Sequence, residues 1–159
     1  MAQAFTIGVD FGTNSVRAVV VGTADGRTRG TSVFNYPSGH QGILLDARDP
    51  HFARQNPADY VEGLRTSVTG ALAEADRDPV FSRARVIGLG TDTTGSTPMP
   101  IDRHARPLAF DPAFCDNPAA QAWLWRDHTS AAEAAAITEM ARVHAPEYIA
   151  PIGGTYSSE

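Results

Sequence analysis

A short turn near the start of the chain has the clearest chemical signature. Residues 10–15 read DFGTNS, directly after an apolar strand pattern. Gly12 lacks a Cβ, so the backbone can turn sharply there and an anion can approach it closely. The three polar residues that follow offer a row of backbone N–H and side-chain donors suited to phosphate oxygens. An acid beside a polyphosphate indicates Mg²⁺, which takes one or two carboxylates together with phosphates and waters. The predicted phosphate-binding residues are Gly12, Thr13, Asn14, Ser15 and Arg17, with Asp10 at the metal.

The alternative for this segment is a hairpin turn that uses glycine and asparagine only for their backbone freedom. The phosphate site is favoured because the segment is longer than a tight hairpin needs and begins with an acid at a strand end. It also needs no lysine. All 13 basic residues of the 159-residue chain are arginine. This excludes a P-loop, a protein-kinase-like site and chemistry on a lysine Schiff base.

Two later segments have the composition of a polyol-binding site. Residues 88–98 place several hydroxyls and one carboxylate at the end of an apolar strand, where they can bond sugar hydroxyls. Residues 123–129, WLWRDHT, set aromatic rings beside charged and imidazole groups. The alternative for both is structural. The first segment is then an ordinary polar turn, and in the second Trp123 and Leu124 belong to the core, Asp127 caps the next helix and His128 lies in a surface loop. The predicted substrate-binding residues are Asp92, Thr94, Ser96, Trp125, Asp127 and His128.

The first half of the chain predicts the elements that position these segments. Alternation in residues 5–36, interrupted at 12–14 and at a second turn at 25–26, predicts three antiparallel strands. Residues 37–55 show no periodicity and predict a loop. Asn56 and Pro57 predict a helix start. The apolar face predicted for this helix consists of Tyr60, Leu64, Val68 and Leu72, with Val61 beside it.

The second half predicts shorter elements. Residues 86–89 indicate a buried strand, and Met99 with Ile101 indicates another. A helix is predicted to start at Asn117, and the capping-box pattern at 130–133 predicts a further one. The order β-β-β-α-β-β-α-α is typical of a mixed α/β fold. Residues 144–159 complete no element and end as a loop entering a helix, so we expect a longer chain.

Composition restricts the setting and the partners. The net charge of -5 argues against a nucleic-acid partner. Cys115 is the single cysteine, which suits a reducing cytoplasm. The start of the chain lacks a signal-peptide pattern, and the longest aliphatic run, residues 18–21, is too short to span a membrane. We therefore expect a cytoplasmic protein without a nucleic-acid or membrane partner, and its self-association stays open.

The motifs resemble a known family. Residues 8–17, GVDFGTNSVR, resemble the first phosphate segment of the actin/hexokinase/Hsp70 ATPase superfamily, and the Thr13-x-Ser15-x-Arg17 continuation resembles the FGGY carbohydrate kinases. Residues 88–98 and 123–129, with 54–60 and 153–159, are similar to the ribulokinase group of that family. The resemblance runs from residue 6 to residue 159.

The resemblance implies a fold and an activity. The fold is an actin-like ATPase (ribonuclease H-like) domain, of which residues 1–159 form the N-terminal part of domain I. The rest of that domain and domain II are absent. The implied reaction is phosphorylation of L-ribulose to L-ribulose 5-phosphate in arabinose catabolism, with ATP and Mg²⁺. The family's general-base aspartate is expected beyond Glu159, so no catalytic base lies within the chain.

Three alternatives remain open from the residues. The chain can belong to another FGGY kinase such as a D-ribulokinase, or it can be a non-catalytic, sugar-binding fragment. An actin-like or Hsp70-like ATPase with protein partners is the third, and the two polyol-type segments argue against it.

Overall fold

The computed structural model describes residues 3–158, which form two sheets and three helices. The strands are β1 (Phe5–Phe11), β2 (Ser15–Gly22), β3 (Thr28–Asn35), β4 (Leu44–Asp46), β5 (Asp49–Gln55), β6 (Val86–Thr93) and β7 (Ala122–Trp123). The helices are α1 (Pro57–Ala75), α2 (Ala131–His144) and α3 (Pro146–Ile149). The main sheet has the order β3-β2-β1-β6, and the second has the order β4-β5-β7. The predicted mixed α/β fold is confirmed.

The main core lies between the main sheet and α1. Successive side chains of a strand point to opposite faces, so every second residue of β1 and β2 faces the helix. Phe5, Ile7 and Val9 of β1 are buried there, as are alternate residues of β2. Phe5 also packs edge-on against Phe81 with ring centroids 4.9 Å apart. The predicted alternation of apolar and polar residues in the first strands therefore arises, as expected, because one face of the sheet is buried against α1.

The buried line of α1 is made of small residues, which corrects the predicted apolar face. Gly63, Ser67, Ala71 and Ala75 are buried, whereas Leu64 and Val61 are exposed. Tyr60, Val68 and Leu72 are partly buried and flank that line. The helix lies so close to β2 and β3 that large side chains have no room on the contact line.

We expect Gly30→Ala to destabilise this contact by roughly 1–3 kcal/mol, the usual cost of overpacking a core. A Cβ at Gly30 would lie 2.2 Å from the Ala71 carbonyl oxygen and 2.6 Å from the Ala75 nitrogen, both backbone atoms. The measurement is urea unfolding. Gly90→Ala in β6 is the matched control, because a Cβ there meets nothing within 4 Å. Equal stability of the two variants would contradict the tight α1–β3 contact.

The loop predicted for residues 37–55 is wrong, because β4 and β5 form an antiparallel hairpin there. Asp46 closes the turn by accepting a hydrogen bond from the Arg48 backbone N–H at 2.9 Å. The last residues of β5 are buried although two of them are Arg54 and Gln55. No apolar alternation marks this strand, because its pairing partner β7 lies far along the chain.

Several predictions for the second half also need correction. The strand at 86–89 exists as the longer β6, but Ile87 is 72% exposed because β6 lies at the edge of the sheet. Ile101 forms only an isolated bridge to Pro107, not a strand. Asn117 caps a single 3-10 turn instead of a longer helix.

The C-terminal segment differs from its prediction as well. Helix α2 begins where predicted, but the Ser130 hydroxyl donates to the Ser158 carbonyl at 2.7 Å and caps nothing. The short α3 and a 3-10 turn (Ala150–Ile152) follow α2. Residues 153–158 contain no helix, and Glu159 lies outside the described residues. Across residues 3–158, no helix combines the length and apolar character needed to cross a membrane.

Candidate functional site

The predicted phosphate turn is a three-residue connection between β1 and β2. The Gly12 N–H donates to the Ser15 carbonyl at 2.9 Å and closes the turn. Within the described part of the chain, the backbone N–H groups of Thr13 and Asn14 have no hydrogen-bond partner. Two adjacent free N–H groups at a glycine turn are suitable donors for an anion.

Thr13 is held from two sides. The Gln55 side-chain Nε2 donates to the Thr13 carbonyl at 2.7 Å. The Trp125 indole Nε1 donates to the Thr13 hydroxyl oxygen at 3.1 Å. Because that oxygen accepts the hydrogen bond from the indole N–H, the hydrogen of the Thr13 hydroxyl remains available to donate to another group. The turn is thereby connected both to the end of β5 and to the predicted sugar segment.

Asn14 and Ser15 turn their side chains toward the protein. The Asn14 Nδ2 donates to the Gln41 carbonyl at 2.7 Å, and the Asn14 carbonyl accepts from the Tyr36 N–H at 3.0 Å. Ser15 is buried at the start of β2. The predicted phosphate contact of Asn14 therefore depends on its backbone N–H.

Asp10, Arg17 and Asp92 lie next to one another on the sheet face that α1 does not cover. Asp10 is paired in register with Arg17 of β2 on one side and with Asp92 of β6 on the other. All three line an open cavity of about 750 Å³ over this face. Among residues 3–158, the Asp10 carboxylate has no hydrogen-bond or ion-pair partner.

This arrangement suits a phosphate-bound Mg²⁺ ion. Like charges directly opposite each other on neighbouring strands repel, and a cation relieves that repulsion. The part of the chain that the structure describes holds no group of three or more metal-ligating side chains. Mg²⁺ needs no such cage when phosphates and waters complete its shell. Asp10 can supply the single carboxylate that this coordination requires, with Asp92 as its neighbour on β6.

The predicted polar turn after β6 begins at Thr94 and lies beside the phosphate turn. The Thr94 N–H donates to the Phe11 carbonyl at 3.1 Å, one residue before Gly12. Ser96 is exposed with a φ of 49°. A cavity of about 270 Å³ lies there, lined by Phe11, Tyr60, Thr93, Thr94, Thr97 and Met99. The structure thus brings Thr94, but not Ser96, to a cavity next to the phosphate turn.

Asp127 and His128 are engaged with other parts of the protein. Asp127 is buried, and its Oδ2 accepts from the Ala53 N–H at 2.7 Å while its carboxylate forms an ion pair with Arg54. His128 Nδ1 lies 2.9 Å from the Ser158 hydroxyl. Neither residue lines the cavity beside Thr94. Trp125 is the member of this segment that reaches the phosphate turn.

Arg54 makes several buried contacts that connect separate elements, and no sequence motif marks it as a site residue. Its guanidinium lies over the Trp123 ring, 3.6 Å from the centroid, and 4.7 Å from that of Phe52. One of its nitrogens is 3.3 Å from the Thr129 hydroxyl. Burial lowers the pKa of Arg54 to about 10, so the group is still charged at neutral pH. This buried cation joins β5, β7 and residues 125–129.

Comparisons with known proteins show what this chain is similar to. No family model matches the chain. A ribulokinase of Vibrio parahaemolyticus is 39% identical over 158 residues, which are 99% of this chain and 27% of that protein. A ribulokinase of Shouchella clausii is 38% identical over 159 residues, 98% of this chain and 28% of its own length. The chain is thus similar to ribulokinases along almost its whole length. It spans about 28% of the length of the curated relatives that it matches.

Solved structures of other kinases share the fold. A xyloylose kinase from Brucella ovis superimposes with a TM-score of 0.65 at 21% identity, over 89% of this chain and 25% of that one. A Plasmodium falciparum glycerol kinase determined with ADP gives a TM-score of 0.63 at 14% identity, over 92% of this chain and 24% of that one. The predicted actin-like fold of the FGGY kinases is confirmed.

Proposed function

We propose that this chain is the N-terminal part of domain I of a ribulokinase. In the complete enzyme it serves the ATP-dependent conversion of L-ribulose to L-ribulose 5-phosphate, a step of arabinose catabolism in the cytoplasm. The observation that carries this proposal is the turn at 12–14, whose two N–H groups have no partner among residues 3–158 and which follows Asp10 at the end of β1. The similarity to ribulokinases along the whole chain supports the choice of sugar.

The phosphate side is assigned to the turn and the adjoining sheet face. Thr13 and Asn14 donate their N–H groups to the terminal phosphates of ATP, and Gly12 allows the close approach. Asp10 holds Mg²⁺, which neutralises charge on the phosphates when it is bound. Arg17, paired with Asp10 across the strands, adds positive charge at the same cavity.

The sugar side is assigned to the neighbouring turn and to the Trp125 segment. Thr94 faces a cavity that begins beside Phe11, so a hydroxyl bound there lies close to the phosphate turn. Trp125 is 42% exposed while its indole contacts Thr13, so its free ring surface can cover an apolar sugar face. Asp92, on the adjoining sheet face, is the further proposed sugar contact. Asp127 and His128 instead hold this segment in place through Arg54, the Ala53 N–H and Ser158.

The reaction assigned here is an in-line phosphoryl transfer. The terminal sugar hydroxyl oxygen forms a bond to the γ-phosphorus while the bond from that phosphorus to the bridging oxygen of ADP breaks. The hydroxyl proton passes to a carboxylate base in the part of the enzyme beyond Glu159. Neither Asp92 nor Asp127 is assigned this role.

A coupled assay of ADP release tests the proposal. The full-length protein that carries this chain is expected to phosphorylate L-ribulose in preference to D-ribulose and D-xylulose. The isolated 159-residue chain is the control, and it is expected to be inactive for lack of the base. A preference for D-ribulose or D-xylulose would reassign the sugar. A full-length protein inactive on all three would favour the non-catalytic alternative, and an active isolated chain would contradict the domain assignment.

A further inference from the structure

We propose that Gln55 is a positioning residue that fixes the peptide between Thr13 and Asn14, so that the Asn14 N–H faces the phosphate site. This inference rests on the proposed function, because it assigns a task within the same nucleotide site. Gln55 ends β5 and is 1% exposed. It belongs to none of the three predicted ligand-binding segments, and its amide nitrogen reaches the phosphate turn through the hydrogen bond to Thr13.

The argument begins with the geometry of a peptide. In a planar trans peptide, the carbonyl of one residue and the N–H of the next point in opposite directions. No peptide bond between residues 3 and 158 is cis. The Thr13 carbonyl points to the Gln55 amide, 2.7 Å away in the interior. The Asn14 N–H, in the same peptide plane, is therefore directed away from the interior, and it has no partner among residues 3–158.

The orientation of the Gln55 amide is itself determined by Tyr60. The Tyr60 hydroxyl donates to Gln55 Oε1 at 2.7 Å, which leaves the Nε2 end to face Thr13. Burial raises the pKa of Tyr60, so this hydroxyl keeps its proton and remains a donor across the ordinary pH range. Tyr60 packs edge-on against Tyr36 and Phe11, with ring centroids 5.6 Å and 6.3 Å away. A Tyr60–Gln55–Thr13 chain of hydrogen bonds thus connects the start of α1 to the turn.

Other hydrogen bonds hold the Thr13 and Asn14 side chains and the Asn14 carbonyl, but only the one from Gln55 acts on the peptide between these two residues within the part of the chain that the structure describes. Without it, this peptide plane can rotate about the ψ bond of Thr13 and the φ bond of Asn14. A flip of the Thr13–Asn14 peptide would turn the Asn14 N–H inward and present the Thr13 carbonyl oxygen to the phosphate. The phosphate would then face a hydrogen-bond acceptor where it needs a donor. The loss of phosphate-binding free energy therefore exceeds that of one missing hydrogen bond.

The decisive variant is Gln55→Glu in the full-length protein. Glutamate has the same shape and can still accept from Tyr60, but its carboxylate cannot donate to the Thr13 carbonyl and repels it. We expect kcat/KM for MgATP to fall on the order of 10²-fold, as when one transition-state donor is removed. The KM for the sugar is expected to stay within about 2-fold, because the sugar contacts are not altered.

Gln121→Glu is the matched control. Gln121 is also buried and also donates its Nε2 to a backbone carbonyl, that of Cys115 at 3.0 Å, away from the turn. A purely structural effect of losing such a bond would appear in both variants alike. Tyr60→Phe is the milder test if Gln55→Glu does not fold. It is expected to reduce kcat/KM for MgATP about 2- to 10-fold, the equivalent of one hydrogen bond.

A second readout separates this inference from the proposed function. Titration with MgATP, followed by the ¹⁵N–¹H signal of Asn14, is expected to shift that signal in the wild type and in Gln121→Glu but not in Gln55→Glu. This pattern supports the role of Gln55 even if the protein phosphorylates no ribulose. The inference would be overturned if MgATP shifted the Asn14 signal in Gln55→Glu as far as in the wild type, or if Gln55→Glu and Gln121→Glu showed equal kinetic losses.

Discussion

Asp10→Asn in the full-length protein is expected to lower kcat by roughly 10²- to 10³-fold while the sugar is still bound normally. The estimate corresponds to the loss of one electrostatic contact made to the transferring group. Asparagine keeps the size of the side chain but lacks the charge that attracts Mg²⁺ to the phosphates. Asp10 faces the open side of the sheet without a partner among residues 3–158, so its removal breaks no internal hydrogen bond. Steady-state kinetics at saturating sugar and a sugar-binding titration measure the two effects separately.

Asp92→Asn is the informative comparison for that variant. Asp92 is the register neighbour of Asp10 on β6 and lines the same cavity. If Asp92 contacts the sugar, its replacement raises the KM for the sugar and leaves metal dependence unchanged. Near-normal kcat in Asp10→Asn would contradict the metal role of Asp10, and equal loss of metal dependence in both variants would move Asp92 to the metal.

Arg54→Met is expected to lower the free energy of unfolding by about 3–5 kcal/mol, the usual cost of leaving one partner of a buried ion pair alone. The Arg54 and Asp127 side chains are 4% and 3% exposed, so water cannot solvate the Asp127 carboxylate that the substitution leaves unpaired. Methionine retains the length of the side chain and much of its packing against Trp123. Urea unfolding of the variant, followed by tryptophan fluorescence, provides the measurement.

Two further variants test the cause of that loss. Arg65→Met breaks the exposed pair with Glu62 on α1 and is expected to cost less than about 1 kcal/mol. Asp127→Asn added to Arg54→Met is expected to recover part of the stability, because no unpaired charge then remains. A double variant less stable than Arg54→Met would show that the lost packing, not the charge, determines the effect.

Local patterns predicted those parts of the fold whose causes are local. The turn at 25–26 and the helix start at Asn56 and Pro57 are found where expected, since hairpin turns and helix caps depend on a few consecutive residues. The buried face of α1 was predicted less well. Hydrophobic periodicity finds a helix, but it does not show how closely the helix approaches a sheet. Gly30 and Gly63 permit a contact that excludes Leu64.

The second sheet could not be predicted, because its β4–β5 hairpin lacks apolar alternation and its third strand, β7, comes from far along the chain. Arg54 of β5 pairs with Trp123 of β7, and the buried end of β5 is polar. A buried strand with polar side chains can be recognised only when the hydrogen-bond and ion-pair partners of those side chains are known. The carboxylate of Asp127 and the Thr13 carbonyl satisfy Arg54 and Gln55, and both come from elsewhere in the chain.

The sequence by itself predicted the glycine turn and the resemblance to carbohydrate kinases, because the donors, the glycine and the acid all lie within residues 10–17. Only the tertiary structure decided which side chains hold that turn. Gln55 and Trp125 contact Thr13 from 42 and 112 positions away, and Asp127 turns inward to Arg54. The physical reason is that a backbone turn can be specified by neighbouring residues, whereas the orientation of its peptides depends on hydrogen bonds that exist only after the sheets and α1 have packed.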